Sequence, residues 1–297
     1  MTDMQIIDRD FLRSLPLPQP AEGSKEERGR VCIIGGSREV PGAVLLAALG
    51  AMRVGAGKLQ IATVQSRAAA LAVAVPEAMV IDLPETPMGG LQSLPVASAA
   101  SRWEEANALL VGPGMVEEPA CNDILKYLLQ SKTESVIVVD AGALPEIRKH
   151  GDELRRRLGR VIVTPHAGEM ANLLGIEKAA VEADPRSAAA RLTDEFGLVV
   201  VMKGSQTIVT ATDGHWRYEG GNVGLATSGS GDVLAGIVTG LAARGADPVT
   251  AAIWGVFLHG EAGSQLSEKV GPLGFLAREI PDRIPELLSG LCYRSGE

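Results

Sequence analysis

The 297-residue sequence predicts an α/β fold, a mainly parallel central sheet with helices on both faces. Three observations predict it. Short β-branched or Leu-rich runs alternate with longer stretches of helical periodicity, the order that crossover helices between parallel strands produce. Several of the runs are apolar throughout, as strands are when helices cover both sides of a sheet. Five of them end in small or polar residues, which sets one cleft along the carboxyl edge, where ligands of such sheets bind.

Taken in order, residues 1–30 read as an N-terminal arm, with Pro16, Pro18 and Pro20 close together and the charged stretch Lys25–Arg30 after them. Residues 31–297 show no internal repeat and no low-complexity linker, so a single domain is expected there. Its first strand, Val31–Ile34, ends at Gly35-Gly36-Ser37, and a helix over Gly42–Val54 follows. That stretch is apolar nearly all round, which fits a core helix or a subunit interface. Strands are expected at Lys58–Thr63, Ala78–Ile81 and Ala108–Val111, the last ending at Gly112-Pro113-Gly114, with a helix over Ser66–Val73. Beyond the helix Pro119–Leu129, strand Ser135–Val139 ends at Asp140-Ala141-Gly142, and Val161–Thr164 runs into Pro165-His166-Ala167-Gly168-Glu169. Helices follow over Glu169–Leu174 and Pro185–Phe196. Strand Leu198–Met202 ends at Lys203-Gly204 and faces a last strand, Thr207–Thr212, so a hairpin turn is the plain reading of Gly204-Ser205. Helices Gly231–Arg244 and Pro248–Ser267 complete the pattern.

Composition excludes several functions. A net charge of −8 is a poor match for nucleic acid or an anionic membrane. Only ten aromatics (Phe 4, Trp 3, Tyr 3) argue against base-stacking platforms. Cys32, Cys121 and Cys292 are far apart and offer no disulfide framework or zinc pair; they read as small core hydrophobes. Four histidines are too few for a metal cluster, and His150 and His215, beside charged or turn residues, read as solvent-facing. The N-terminus carries acids and no apolar core segment, and the apolar runs Ala43–Met52 and Ala251–Leu258 fall well short of the ~18–20 residues of a membrane span. A soluble cytoplasmic protein is expected, with His259 at the end of the second run reading as part of a packed helix.

The strongest single feature is the run Gly220-Gly221-Asn222-Val223-Gly224-Leu225-Ala226-Thr227-Ser228-Gly229-Ser230-Gly231-Asp232, followed at once by the apolar helix Val233–Leu241. Small residues permit a tight turn at Gly229, Ser230 and Gly231, and the first free N–H groups of a helix then form an anion hole suited to phosphate. Asp232, in the first turn, can take a proton from a hydroxyl as it attacks a phosphoryl group. The alternative is that Asp232 only caps the helix and complements its dipole.

Gly229-Ser230-Gly231-Asp232 resembles the GxGD signature of ribokinase-like kinases. With Gly35-Gly36-Ser37, Gly42-Ala43, Gly112-Pro113-Gly114, Asp140-Ala141-Gly142-Ala143-Leu144, Thr164-Pro165-His166-Ala167-Gly168-Glu169 and Lys203-Gly204-Ser205-Gln206-Thr207 in this order, the chain resembles the ADP- or ATP-dependent NAD(P)H-hydrate dehydratases over residues 28 to 290. The resemblance implies a ribokinase-like fold and a hydro-lyase that repairs NADH or NADPH hydrated at C6 of the nicotinamide, using ADP in most bacterial members. It implies catalysis by Asp232, contact of Ala43, Gly114, His166 and Asp232 with the hydrated dinucleotide, and contact of Lys203, Gly204, Ser205, Gln206, Thr207 and Gly231 with the adenine nucleotide. It further implies Mg²⁺, a homo-oligomer, often a tetramer, to which the 42–57 stretch would contribute, and a separate NAD(P)H-hydrate epimerase as functional partner.

Each residue also has a plainer reading: Ala43 as a core alanine, Gly114 as a turn glycine, His166 as a structural histidine, Lys203 as the partner of a carboxylate. Glu169 is read as starting its helix, or as assisting a metal or water, and Asn222 as orienting its loop or touching ligand. The chain departs from its relatives at Ser24–Gly29 in the arm, at Ala167 where proline commonly follows the histidine, and at Leu225 and Ser228. A ribokinase-like kinase acting on a vitamin precursor is the competing function; a dehydrogenase is weak, because Gly35-Gly36-Ser37 with Gly42 is not GxGxxG.

Overall fold

A computed structural model describes residues 4–19, 25–93, 103–116, 118–131, 133–157 and 159–292. Pro20 and Ser24 of the arm lie outside them. Among these residues, ten strands form one sheet: β1 (Gln5–Ile6), β2 (Arg30–Ile34), β3 (Lys58–Val64), β4 (Ala78–Leu83), β5 (Ala108–Val111), β6 (Val136–Val139), β7 (Val161–Val163), β8 (Val199–Met202), β9 (Thr207–Ala211) and β10 (Gly214–Tyr218). The spatial order is β1-β10-β9-β8-β7-β6-β5-β2-β3-β4. The pairs from β8 through β4 are parallel, and β9 is antiparallel to both its neighbours.

Alternation along the apolar strands divides the core in two. Val31, Ile33, Leu110 and Val138 face one side, with the helices Gly42–Arg53, Ser230–Ala243 and Pro248–Lys269. Cys32, Ile34, Leu109, Ile137 and Val139 face the other, with Glu118–Gln130, Ala167–Leu174 and Pro185–Phe196. Strands buried on both faces explain why their sequences are apolar without alternation. The chain order of the strands reverses between β2 and β5, which makes that junction the topological switch point where a crevice opens.

Two helices aim their N-termini at this edge together. Leu46 packs on Gly229, Ala47 on Gly236, and Ala51 and Val54 on Gly240. The ascending order means that Gly42–Arg53 and Ser230–Ala243 run parallel. A methyl group on Gly236 would sit 2.0 Å from the Ala47 carbonyl oxygen, so only glycine lets the backbones approach this closely. The buried face of the 42–53 helix is thereby accounted for within one chain, as the core reading of that stretch expects.

The N-terminal arm is woven into the same body. Ile7, Leu12 and Leu17 are buried in the core, and β1 extends the sheet beside β10. Asp8 caps the helix Arg9–Ser14, and the Trp254 indole donates to the Leu15 carbonyl at 2.7 Å. No described helix is long and apolar enough to cross a membrane. Cys32 and Cys121 are buried as expected, whereas Cys292 is half-buried. His150 departs from its reading as solvent-facing: it is buried, with Nε2 3.1 Å from Asn122 Oδ1, and burial lowers its pKa. His215 is half-buried in β10 rather than exposed.

Candidate active site

Three adjacent strands end in three polar side chains. Asp140 follows β6, Thr164 follows β7 and Lys203 follows β8. Thr164 Oγ1 donates to Asp140 Oδ1 at 2.6 Å, and Lys203 Nζ donates to the same oxygen at 3.0 Å. The backbone reinforces the row, since the Lys203 amide donates to Pro165 O at 2.8 Å. Lys203 Nζ also lies 3.8 Å from Glu169 Oε2. Burial pulls the Lys203 pKa down, but Asp140, and behind it Glu169, outweigh that and hold it raised; the ammonium stays charged.

His166 caps the helix Ala167–Leu174. Its Nδ1 accepts from the amides of Gly168 (3.0 Å) and Glu169 (3.2 Å), while Glu169 Oε2 accepts from the His166 amide at 2.8 Å. This is a capping box with histidine in the serine role. An Nδ1 used as acceptor leaves the ring proton on Nε2. The structural and ligand-facing readings of His166 therefore coexist: one nitrogen caps, and the residue lines the cavity.

Opposite this row stands the N-terminus of Ser230–Ala243. Gly229 adopts φ +88°, the left-handed turn the glycine permits. The Ser230 amide is taken by Thr227 O at 3.2 Å, whereas among the described residues the amides of Gly229, Gly231 and Asp232 have no backbone acceptor. A methyl group on Gly231 would lie 3.3 Å from Lys203 Nζ, so the ammonium rests against this turn. Asp232 is pushed up to about 6, first by burial and then by Asp140, with Lys203 opposing. A carboxylate with that proton affinity is a competent general base near neutral pH.

Between the two walls lies a cavity of about 760 Å³, lined by His166, Lys203, Gly204, Ser205, Thr207, Ser230 and Gly231 on its polar side and by Tyr218, Leu225, Leu234 and Val256 on its apolar side. Gln206, on the same hairpin, does not line it. Asn222 lines it while its Oδ1 accepts from the Gly224 amide at 3.0 Å, so it orients its own loop. Ala43 and Gly114 meet at the switch point instead: a methyl on Gly114 would lie 3.1 Å from Ala43 Cβ and 2.5 Å from Val40 O. Apart from Gln206, Gly229 and Asp232, which do not line the cavity, the candidate residues thus fall into two groups along one carboxyl edge, the β2/β5 crevice and the cavity beside β8.

Two participants were not singled out from sequence. Asp140 stood as a strand-end residue and part of a motif, with no role of its own; its place beside Lys203 depends on the sheet order. His259 read as part of a packed helix, and it is buried there, yet it lines the cavity and places Nε2 3.0 Å from Ser230 Oγ and 3.1 Å from Ser230 O. Burial lowers its pKa to about 4, so the ring is neutral and Nε2–H donates to Ser230. A histidine at the end of an apolar run gives no local signal of such a contact.

Comparison with known proteins agrees with this geometry. A family model of NAD(P)H-hydrate dehydratase matches residues 31–286. An ADP-dependent (S)-NAD(P)H-hydrate dehydratase of Xanthomonas campestris is 47% identical over 286 residues, 94% of each chain. The structure resembles a ribokinase-like superfamily protein of Enterococcus faecalis (TM-score 0.84, 26% identity, 97% of this chain and 96% of that one). It also resembles the ADP/ATP-dependent NAD(P)H-hydrate dehydratase of Bacillus subtilis co-crystallised with ATP/Mg²⁺ (TM-score 0.80, 25% identity, 98% and 100%). The sheet, the GxGD turn with its carboxylate and these matches together establish that the chain belongs to the NAD(P)H-hydrate dehydratase family, on a ribokinase-like fold.

Proposed function

We propose that this chain is an ADP-dependent hydro-lyase that returns C6-hydrated NADH or NADPH to the dihydronicotinamide. The observation that carries the reading is the half-buried Asp232 in the first helical turn, its proton affinity raised, beside an open Gly231 amide and the Lys203 ammonium. Asp232 accepts the proton of the C6 hydroxyl as its oxygen attacks the terminal phosphoryl group. The bond from phosphorus to the bridging oxygen breaks, and AMP leaves when ADP is the donor. Phosphate is a far better leaving group than hydroxide. It departs from C6 as the ring nitrogen donates its electron pair; loss of a C5 proton then restores the double bond.

The nucleotide occupies the 760 Å³ cavity, with Lys203, Gly204, Ser205 and Thr207 along one wall and Gly231 at the phosphate end. Gln206 is assigned to the same hairpin. The hydrated ring and its dinucleotide extend toward Ala43 and Gly114, with His166 presenting Nε2–H and Asp232 between the two ligands. The amides of Gly231 and Asp232 receive the phosphate, and Gly229 and Ser230 shape the turn.

Magnesium fits this donor set. Asp140, Glu169 and Asp232 place three carboxylates around one ammonium, an excess of hard oxygen donors. No described group of three His, Cys, Asp or Glu forms a protein-only cage. Glu169 would hold the ion together with phosphate oxygens and water. Bound there, it neutralises charge on the transferring phosphoryl group. Residues 31–297 are taken as one catalytic domain in a cytoplasmic homo-oligomer, with a tetramer expected by light scattering, and a separate NAD(P)H-hydrate epimerase as functional partner.

The test is to incubate the protein with hydrated NADH, Mg²⁺ and ADP or ATP and follow recovery of dihydronicotinamide absorbance. Recovery with ADP supports the reading, and a chelator stops it. A stable phosphorylated product from another small alcohol, with no recovery, overturns it. Asp232→Asn is expected to lower kcat by roughly 10²–10⁴-fold, the usual loss on removing a general base.

A further inference from the structure

We propose that Asp140 is a positioning residue. Fixed by Thr164 and by the left-handed turn at Ala141, it aims the Lys203 ammonium at the Gly231 turn, where the terminal phosphate is received. The inference rests on the phosphoryl-transfer reading of the site and goes beyond the place that reading gives Asp140 among the carboxylates around the ammonium.

Four observations carry it. The Asp140 side chain is 2% exposed, and its Oδ1 accepts from both Thr164 Oγ1 and Lys203 Nζ. Ala141, the next residue, is the only described non-glycine with positive φ, +46°. An alanine held there is strained, and such strain gathers at functional sites. Gly231 sits against the ammonium from the other side. Lys203 also has a competing carboxylate, Glu169, at 3.8 Å, whose Oε2 is engaged by the His166 amide. Without Asp140 the ammonium would turn toward Glu169 and away from the phosphate. A buried ion pair gives little net stability compared with an apolar pair, so stability alone explains neither the buried carboxylate nor the strained turn.

The experiment is a double-mutant cycle with Asp140→Asn, Lys203→Met and the double variant. It is read twice, as kcat with hydrated NADH, ADP and Mg²⁺ and as ADP affinity by calorimetry. Asp140→Asn should lower kcat by roughly 100-fold, the scale of an ångström-level misplacement. In the Lys203→Met background the same change should cost less than about threefold, because a residue that acts through another loses its effect with it. Multiplied losses, or a single variant within about twofold of wild type, would overturn the proposal.

If Asp140→Asn does not fold, Thr164→Val loosens the carboxylate while keeping its charge. It should lower kcat by about three- to tenfold, the loss expected for one hydrogen bond, and by nothing further once Lys203 is Met. Failure of the wild type to act on hydrated NADH would remove the assigned reaction, and the ADP-affinity cycle would still decide the role of Asp140.

Discussion

Asp232 is half-buried and His259 is buried, and loss of solvent moves their protonation in opposite directions. The Asp232 carboxyl sits near 6, so its proton stays on at lower pH and a general base is lost as pH falls. The kcat/KM profile is therefore expected to be level above about pH 7 and to drop tenfold per unit well below pH 6; a flat profile down to pH 5 would remove the carboxylate from proton transfer. The His259 imidazole, lowered to about 4, binds its proton less readily folded than unfolded. Stability should thus be full above the unfolded value near 6.5 and fall as pH drops toward 4. Chemical denaturation at several pH values checks this, and His259→Gln should flatten the dependence across that window. Both residues are chemically ordinary in the sequence. A glycine-rich run before an apolar helix exposed the role of Asp232; nothing local exposed that of His259, whose partner Ser230 lies 29 residues earlier.

Among the elements, the strands from β2 to β9 were legible to within a residue or two, because apolar runs bounded by Gly, Asp or Pro leave few readings. β10 was not read: Gly-His-Trp-Arg-Tyr alternates with polar residues, and the Asp213-Gly214 pair where the turn meets the strand was the available hairpin signal. β1 has no periodicity of its own and exists through pairing with β10. The short helices Lys178–Ala183 and Ile284–Cys292 and the 3₁₀ stretch Ala141–His150 were also missed; short segments are fixed by packing more than by propensity. Parallel packing of Gly42–Arg53 on Ser230–Ala243 yields a sharper expectation. Gly236→Ala places a methyl against the Ala47 backbone and should cost about 1–3 kcal/mol by overpacking, seen as a lower denaturation midpoint at unchanged slope. It should also weaken ADP binding, because the helix N-terminus moves with its axis.

On the scale of the whole molecule, the sheet joins distant parts of the chain. Only the site's fragments could be read in sequence, since their meeting is a property of strand order: Asp140, Thr164 and Lys203 are neighbours because β6, β7 and β8 are. The arm shows the same dependence. The Trp216 indole donates to Gln5 Oε1 across 211 residues, and Ile7 docks on β10 through Arg217 O. Deleting residues 1–18 should uncover this face and lower Tm, measured by scanning calorimetry, even though no cavity-lining residue is removed. The pairing also has a consequence in time. β1 leaves the ribosome well before its template, β10, which follows about 200 residues later in the chain. During synthesis β1 must therefore wait undocked. Nascent chains stalled before residue 214 should be clipped within the first 18 residues by added protease, whereas the released full-length protein resists cleavage there.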